Sequence, residues 1–245
     1  MWILKWMFRI IQKEVEKYGY LEYGASPLEP SELYVAKTGE EIVSQQTYTF
    51  IDRGNRSVTL RPEMTPTVAR MVAARRRELG FPLRWYSIPN LFRYENPQKG
   101  RLREHYQLNV DLFGPSDLSA DIEIITLASN ILKAFGATEK DFTIKINSRL
   151  LLRELFDSFE IPEEKRQSLS KLIDKKDKID KDLFNAGVKE LLGEVSHEFL
   201  NVLSVNQRIT DRLQSKSVGL KQMFEIITAL EKQNIVNVVF TPTLM

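Results

Sequence analysis

Two neighbouring stretches of this 245-residue chain carry side chains that could do chemistry. In one, His105, Gln107, Asn109 and Asp111 alternate with Tyr106, Leu108, Val110 and Leu112. Side chains on a strand alternate faces with period two, so one face would be polar throughout and the other apolar. A solvated strand is the plain explanation for such a face. This one, however, carries no Lys, Ser or Thr, and offers imidazole, amide and carboxylate groups that suit a specific polar ligand. On the strand before it, Arg93 and Glu95 share a face. The segment between them, Asn96-Pro97-Gln98-Lys99-Gly100-Arg101-Leu102-Arg103, sets three cations on a turn above the polar face. Guanidinium groups take phosphate oxygens in pairs, which suits a polyphosphate better than a lone carboxylate. Residues 61–103 hold ten basic and three acidic side chains, although the whole chain has a formal net charge of only +2. A general nucleic-acid coat is thereby excluded, while a local anion site is not.

Other chemistries drop out. No Gly-x-x-x-x-Gly-Lys-Ser/Thr run and no Gly-x-Gly-x-x-Gly after a strand is present, so neither common phosphate-binding loop applies. With no Cys and two His, disulfides, iron–sulfur clusters, thiol catalysis and a structural zinc site are not expected, and no metal ligands are assigned. No apolar run reaches the roughly 18 residues of a membrane span. The opening Met1-Trp2-Ile3-Leu4-Lys5-Trp6-Met7-Phe8 is too short and too soon charged for a signal peptide. A soluble, cytoplasmic protein without a membrane partner is expected.

The elements that must position these residues follow from spacing. Ile3, Met7, Ile10, Ile11, Val15 and Tyr18 recur at helical intervals, and Gly19 sits where a left-handed cap belongs. Tyr20–Tyr23 reads as extended, and Pro27 and Pro30 exclude a helix interior. Residues 48–52 and 57–60 flank Arg53-Gly54-Asn55-Arg56 as a β-hairpin. Thr65 is expected to cap a helix that has Pro66 in its first turn and ends at Gly80. Residues 83–113 read as a long antiparallel hairpin, 121–135 as a helix and 142–146 as a strand. From 148 to 234 the chain becomes helix-rich and charged. Seven bases meet seven acids within residues 160–182, the balance of a solvated helical face rather than of an RNA-binding surface. Val236–Phe240 reads as a buried central strand.

Phe92-Arg93-Tyr94-Glu95 and the following Asn96 to Gln107 resemble motif 2 of the class II aminoacyl-tRNA synthetases, and within them the histidyl-tRNA synthetases. Thr59-Leu60-Arg61-Pro62-Glu63-Met64-Thr65 is similar to that family's substrate-binding segment, and Pro27-Leu28-Glu29 stands where its motif 1 belongs. The resemblance implies an α+β fold: a mostly antiparallel sheet flanked by helices, with a helical insertion. It implies a catalytic core over residues 1–147, the insertion over 148–234, and the start of a returning core strand over 235–245. It further implies ATP-dependent activation of L-histidine to histidyl-adenylate, with Mg2+ accompanying the polyphosphate, and transfer to tRNA(His) by a homodimer paired through residues 21–29.

By the same resemblance Arg93 would hold the ATP α-phosphate and carry the catalytic role. Arg101 would meet the terminal phosphates, Glu95 the adenine edge, and His105 would stack on adenine where the family usually has Phe. Glu63, Thr65 and Gln107 would hold the α-amino end of histidine, and Asp111 would accept from its imidazole, where many members carry the longer Glu. The family's segment closing over histidine, its motif 3 and its anticodon-binding domain have no counterpart here. A truncated core with impaired adenylate formation is therefore expected. The alternative is a non-catalytic paralogue such as the synthetase-like regulatory subunit of histidine biosynthesis.

Overall fold

The computed structural model describes residues 1–35, 46–94, 100, 102–176 and 178–242. The chain divides into two compact units, Met1–Ser116 and Asp117–Met245. The second unit takes in residues on both sides of position 147.

In the first unit, α1 (Trp2–Glu16) follows the apolar spacing, and Gly19 leaves it with a left-handed φ of 78°. The short β1 (Leu21–Glu22) lies parallel to β5 (Leu83–Ser87), and β5 pairs antiparallel with β8 (Asn109–Phe113). Beyond them, β6 (Asn90–Phe92) pairs with β7 (Glu104–Tyr106). One register runs through both pairs, from Leu83 opposite Phe113 to Phe92 opposite Glu104, so residues 83–113 are the expected long hairpin. The ladder is interrupted where Pro89 has no N–H to give. Gln107 N still donates to Pro89 O at 3.1 Å.

A second antiparallel sheet runs β2 (Leu28–Pro30), β4 (Ser57–Leu60), β3 (Tyr48–Ile51). The β3–β4 turn is closed by Asp52, whose Oδ1 accepts from Gly54 N at 2.8 Å and Arg56 N at 2.9 Å. Asn55 takes the left-handed φ of 58° that such a turn requires. The short α2 (Glu32–Val35) follows β2. Helix α3 (Thr65–Arg75) corrects the expected cap: Met64 already has helical angles, so Thr65 is the first helical residue and no side chain caps the end. The helix also stops at Arg75, well before Gly80, where Glu78 N turns back to Arg75 O at 2.8 Å. Its buried Val68 and Val72, with Met64, pack on Tyr23, Leu83 and Leu91 in one apolar cluster.

The second unit is built on a larger core. Helix α4 (Leu118–Ala134) starts on Asp117, whose carboxylate accepts from Ser119 N at 2.8 Å. Strand β9 (Ile144–Ile146) leads into α5 (Arg149–Ser158), α6 (Glu163–Asp174), α7 (Lys181–Leu192), α8 (Ser196–Leu203), α9 (Asn206–Leu213) and α10 (Val218–Lys232). Leu151, Leu155, Leu169, Val188, Phe199, Ile209 and Leu230 form its fully buried centre. Leu118, Ile122 and Ile125 of α4 and Ile144 of β9 join this same core, which is why the unit begins before residue 147. Strand β10 (Val238–Phe240) pairs in parallel with β9. Among the described residues β10 has no other partner strand, and Val236 and Val239 are exposed, so it is an edge rather than the expected buried centre. Along the charged stretch, Arg166 bridges Asp157 at 2.7 Å and Lys178 bridges Asp174 at 3.1 Å, as a solvated face would. No helix among the described residues is long and apolar enough to cross a membrane.

Candidate active site

The site begins with a buried cation. Arg61, only 6% exposed, follows β4, and its backbone joins two segments. Arg61 N donates to Pro27 O at 2.9 Å, and Arg61 O accepts from Phe92 N at 3.0 Å. Its guanidinium reaches Ala25 O at 2.8 Å and Asn90 O at 3.1 Å. Burial pulls its pKa down from the usual value, though an Arg remains charged. Backbone carbonyls therefore satisfy a cation that counting alone would assign to phosphate. Arg70 is also committed, with Nη2 at 2.7 Å and Nε at 3.2 Å from the carboxylate of the buried Glu29. The local positive excess available to a ligand is smaller than composition suggests.

Held in this way, Pro62 and Glu63 lie beside the hairpin. Arg93 Nε donates to Pro62 O at 2.9 Å, and Arg93 N donates to Arg103 O at 2.9 Å. Arg93 is half-buried, and one edge of its guanidinium is fixed to the segment that carries Glu63. Thr65 is exposed at the start of α3 and Glu63 half-buried just before it. Arg103 lies over the Tyr94 ring, 4.3 Å from its centroid. Glu95, Lys99 and Arg101 lie outside the described residues.

The odd-numbered face of the hairpin gathers His105, Gln107 and Asp111 as the alternation requires, all half-buried. His105 opposes Leu91, and Asp111 opposes Trp85. The face is not polar throughout, because Leu91 and Trp85 contribute an apolar floor that meets α3. Pro89 shapes its middle. Since Pro89 cannot donate across the ladder, Gln107 O accepts instead from Asn109 Nδ2 at 3.1 Å, and Gln107 Nε2 donates to Asn109 Oδ1 at 3.0 Å. This side-chain bracket holds Gln107 at the break between β7 and β8.

Asp111 is half-buried at the other end of this face. Burial pushes its carboxyl above the usual carboxylate range, with the Tyr23 hydroxyl, 3.5 Å from Oδ2, acting against that rise. Burial likewise pushes the Tyr23 phenol up to about 12. Tyr23, Ser87 and Asn109 belong to this environment, yet sequence reasoning assigned no role to the first two. A tyrosine next to a two-residue strand carries no signal that separates core packing from a site.

The arrangement therefore has a cationic end at Arg93, a carboxylate end at Asp111, and amides between them. Among the described residues no three His, Asp or Glu converge to hold a metal ion.

Solved structures share this architecture. One is described as an ATP phosphoribosyltransferase regulatory subunit/histidyl-tRNA synthetase from Bacillus halodurans. It aligns with a TM-score of 0.83 at 25% identity, over 98% of this chain and 63% of its own. A histidyl-tRNA synthetase from a Nostoc species aligns with a TM-score of 0.80 at 19% identity, over 97% and 57% of the two chains, and speaks for the fold alone. The fold is that of the class II aminoacyl-tRNA synthetases. The family model described as histidyl-tRNA synthetase matches residues 2–242. The histidine–tRNA ligase of Leptospira biflexa is 45% identical over 249 residues, covering 98% of this chain and 56% of the relative. The chain thus belongs to the histidyl-tRNA synthetase family, and it spans little more than half the length of that relative.

Proposed function

We propose that this chain carries the histidine- and ATP-binding face of a histidine–tRNA ligase. The observation that supports the reading most is the joining of Arg93 to the Pro62–Glu63 segment beside a strand face that holds Gln107 and Asp111. Arg93 stabilises charge at the ATP α-phosphate while the histidine carboxylate attacks in line and pyrophosphate leaves. His105 stacks on adenine, with Glu95 at its edge and Arg101 on the terminal phosphates. Glu63, Thr65 and Gln107 hold the α-amino group, and Asp111 accepts from the imidazole. Such a step is accelerated chiefly by alignment and charge stabilisation. Mg2+ enters with the nucleotide, because phosphate oxygens and water satisfy its octahedral preference without a protein cage. The histidyl group then passes to tRNA(His). Residues 1–147 serve as the catalytic core, 148–234 as the insertion and 235–245 as the start of the chain's return to the core. Exposed Leu28 and Phe50, which share one face of the β2–β4–β3 sheet, support self-association as a homodimer, and the setting proposed for it is cytoplasmic.

The Bacillus halodurans description, which names a regulatory subunit, favours one second reading: a histidine-responsive paralogue without adenylate chemistry. Histidine-dependent pyrophosphate exchange, measured on the protein as its gene encodes it, separates the two. Exchange supports the ligase, and histidine binding without exchange supports the paralogue.

Asp111 tests the amino-acid end. Asp111→Asn is expected to weaken L-histidine binding about tenfold or more, since a site built to pair with an N–H discriminates strongly, while ATP affinity is unchanged. Equal losses for both ligands would make Asp111 structural. Stability should move the other way. A carboxyl whose folded pKa is raised contributes stability below its unfolded pKa and loses it as pH rises through the folded one. The asparagine variant cannot ionise, so its thermal stability at neutral pH should equal or exceed that of the parent.

A further inference from the structure

Tyr23 follows β1 and continues its pairing, donating its N–H to Tyr86 O at 2.9 Å. That pairing sets its ring on the same side of the sheet as Trp85, Ser87 and Asp111. The ring packs on Trp85 with centroids 5.6 Å apart, within the apolar cluster that includes Met64 and Val68. Only the hydroxyl escapes this packing, and it points to Asp111 Oδ2 at 3.5 Å, the outer limit of a hydrogen bond. Ser87, 3% exposed, lies diagonally from Asp111 across the β5–β8 pair. No hydrogen bond of good geometry reaches its Oγ, although it lies close enough to the phenol to temper the rise in its pKa.

We infer that Tyr23 is a positioning residue for histidine selectivity: its buried phenol donates to Asp111 and holds that carboxylate in the orientation that receives an imidazole N–H. The inference rests on the role proposed for Asp111. The geometry explains why a shorter acid can serve here. Asp111 has one fewer side-chain bond than Glu to swing about, and a donor behind it fixes which oxygen faces the ligand. A carboxylate has lone pairs for both a phenol and an imidazole, so the two donors do not compete. Partial burial makes the contact matter, because a hydrogen bond shielded from bulk water is electrostatically stronger than one in it.

The test uses Tyr23→Phe, which keeps the packed ring and removes only the hydroxyl. L-histidine and ATP affinities are measured separately by calorimetric titration for the parent, Tyr23→Phe, Asp111→Ala and the double variant, each as the gene encodes the full protein. The expected result is a loss of about fivefold in histidine affinity for Tyr23→Phe, as for one net hydrogen bond, with ATP affinity unchanged. In the Asp111→Ala background the Tyr23→Phe change should cost nothing further, because its effect passes through Asp111. Unchanged histidine affinity in Tyr23→Phe, an equal loss in both backgrounds, or matching losses for histidine and ATP would each overturn the inference. If Asp111→Ala leaves histidine binding intact, the role proposed for Asp111 fails and takes this one with it. If Asp111→Ala weakens binding but Tyr23→Phe does not, only the positioning role fails.

Discussion

Arg93→Ala is expected to weaken ATP binding about 10- to 100-fold, the equivalent of losing one charge-assisted contact of ~1.5–3 kcal/mol. The structure adds a second cost. Arg93 Nε also satisfies the carbonyl of the buried Pro62, so the alanine variant leaves that oxygen without its donor. About 1 kcal/mol of stability should be lost as well. Titration with ATP well below the melting temperature keeps the two effects apart. Arg93→Lys sharpens the experiment: it keeps the charge but not the planar fork, so it should recover only part of the affinity. Full affinity in Arg93→Ala would remove Arg93 from the nucleotide site.

Gly219→Ala should be the most damaging single-methyl change in the second unit. Gly219 lies in the first turn of α10, against the first turn of α5. A Cβ there would stand 2.6 Å from Leu151 N and 2.7 Å from Leu151 Cα. Backbone cannot rotate out of the way as a side chain can, and both helix ends are pinned. The Glu154 carboxylate accepts from Val218 N at 3.0 Å and from Gly219 N at 3.2 Å, and Ser217 Oγ accepts from Leu220 N at 2.9 Å. Alanine's helix propensity would return only ~1 kcal/mol, against an overpacking cost of about 3 kcal/mol or more. A drop of roughly 10 °C in the unfolding temperature is expected. Gly187→Ala is the control. Its Cβ would meet the Leu172 side-chain end at 2.9 Å, which can give way, so thermal unfolding should shift little. Equal shifts for the two variants would refute the steric account.

The parts of this protein that were legible in its sequence are those governed by a period. Alternation from His105 to Asp111 placed His105, Gln107 and Asp111 on one face, and the Pro89–Gln107 break left the register unshifted on both sides. Helix α4 was legible as a helix, and α5 to α10 only as one helix-rich, charged stretch. What stayed hidden depends on which distant backbone a side chain meets. Arg61 looked like one cation among ten, yet it spends its donors on the carbonyls of Ala25 and Asn90. Thr65 has the composition of a cap, but the turn through Met64 was already helical and left it nothing to cap. Val236–Phe240 is as apolar as a core strand, yet only Val238 and Phe240 face the core while Val239 points out. Tyr23 was unreadable because its ring does what any buried aromatic does; only the hydroxyl is distinctive.

The β9–β10 pairing brings a timetable with it. Ile144 lies opposite Val238 in the parallel register, so the two strands meet only after some ninety intervening residues have been made. At about 5–20 residues per second on the ribosome, the first strand waits roughly 5–20 s for its partner. Each helix in between can form within microseconds. Assembly of the second unit during synthesis should therefore begin with α5 to α9 collapsing around Leu155, Leu169 and Phe199, and end with the sheet. For those seconds Ile144 and Ile146 present an unpaired edge in the nascent chain. A chaperone that captures open strand edges would find one here during that interval.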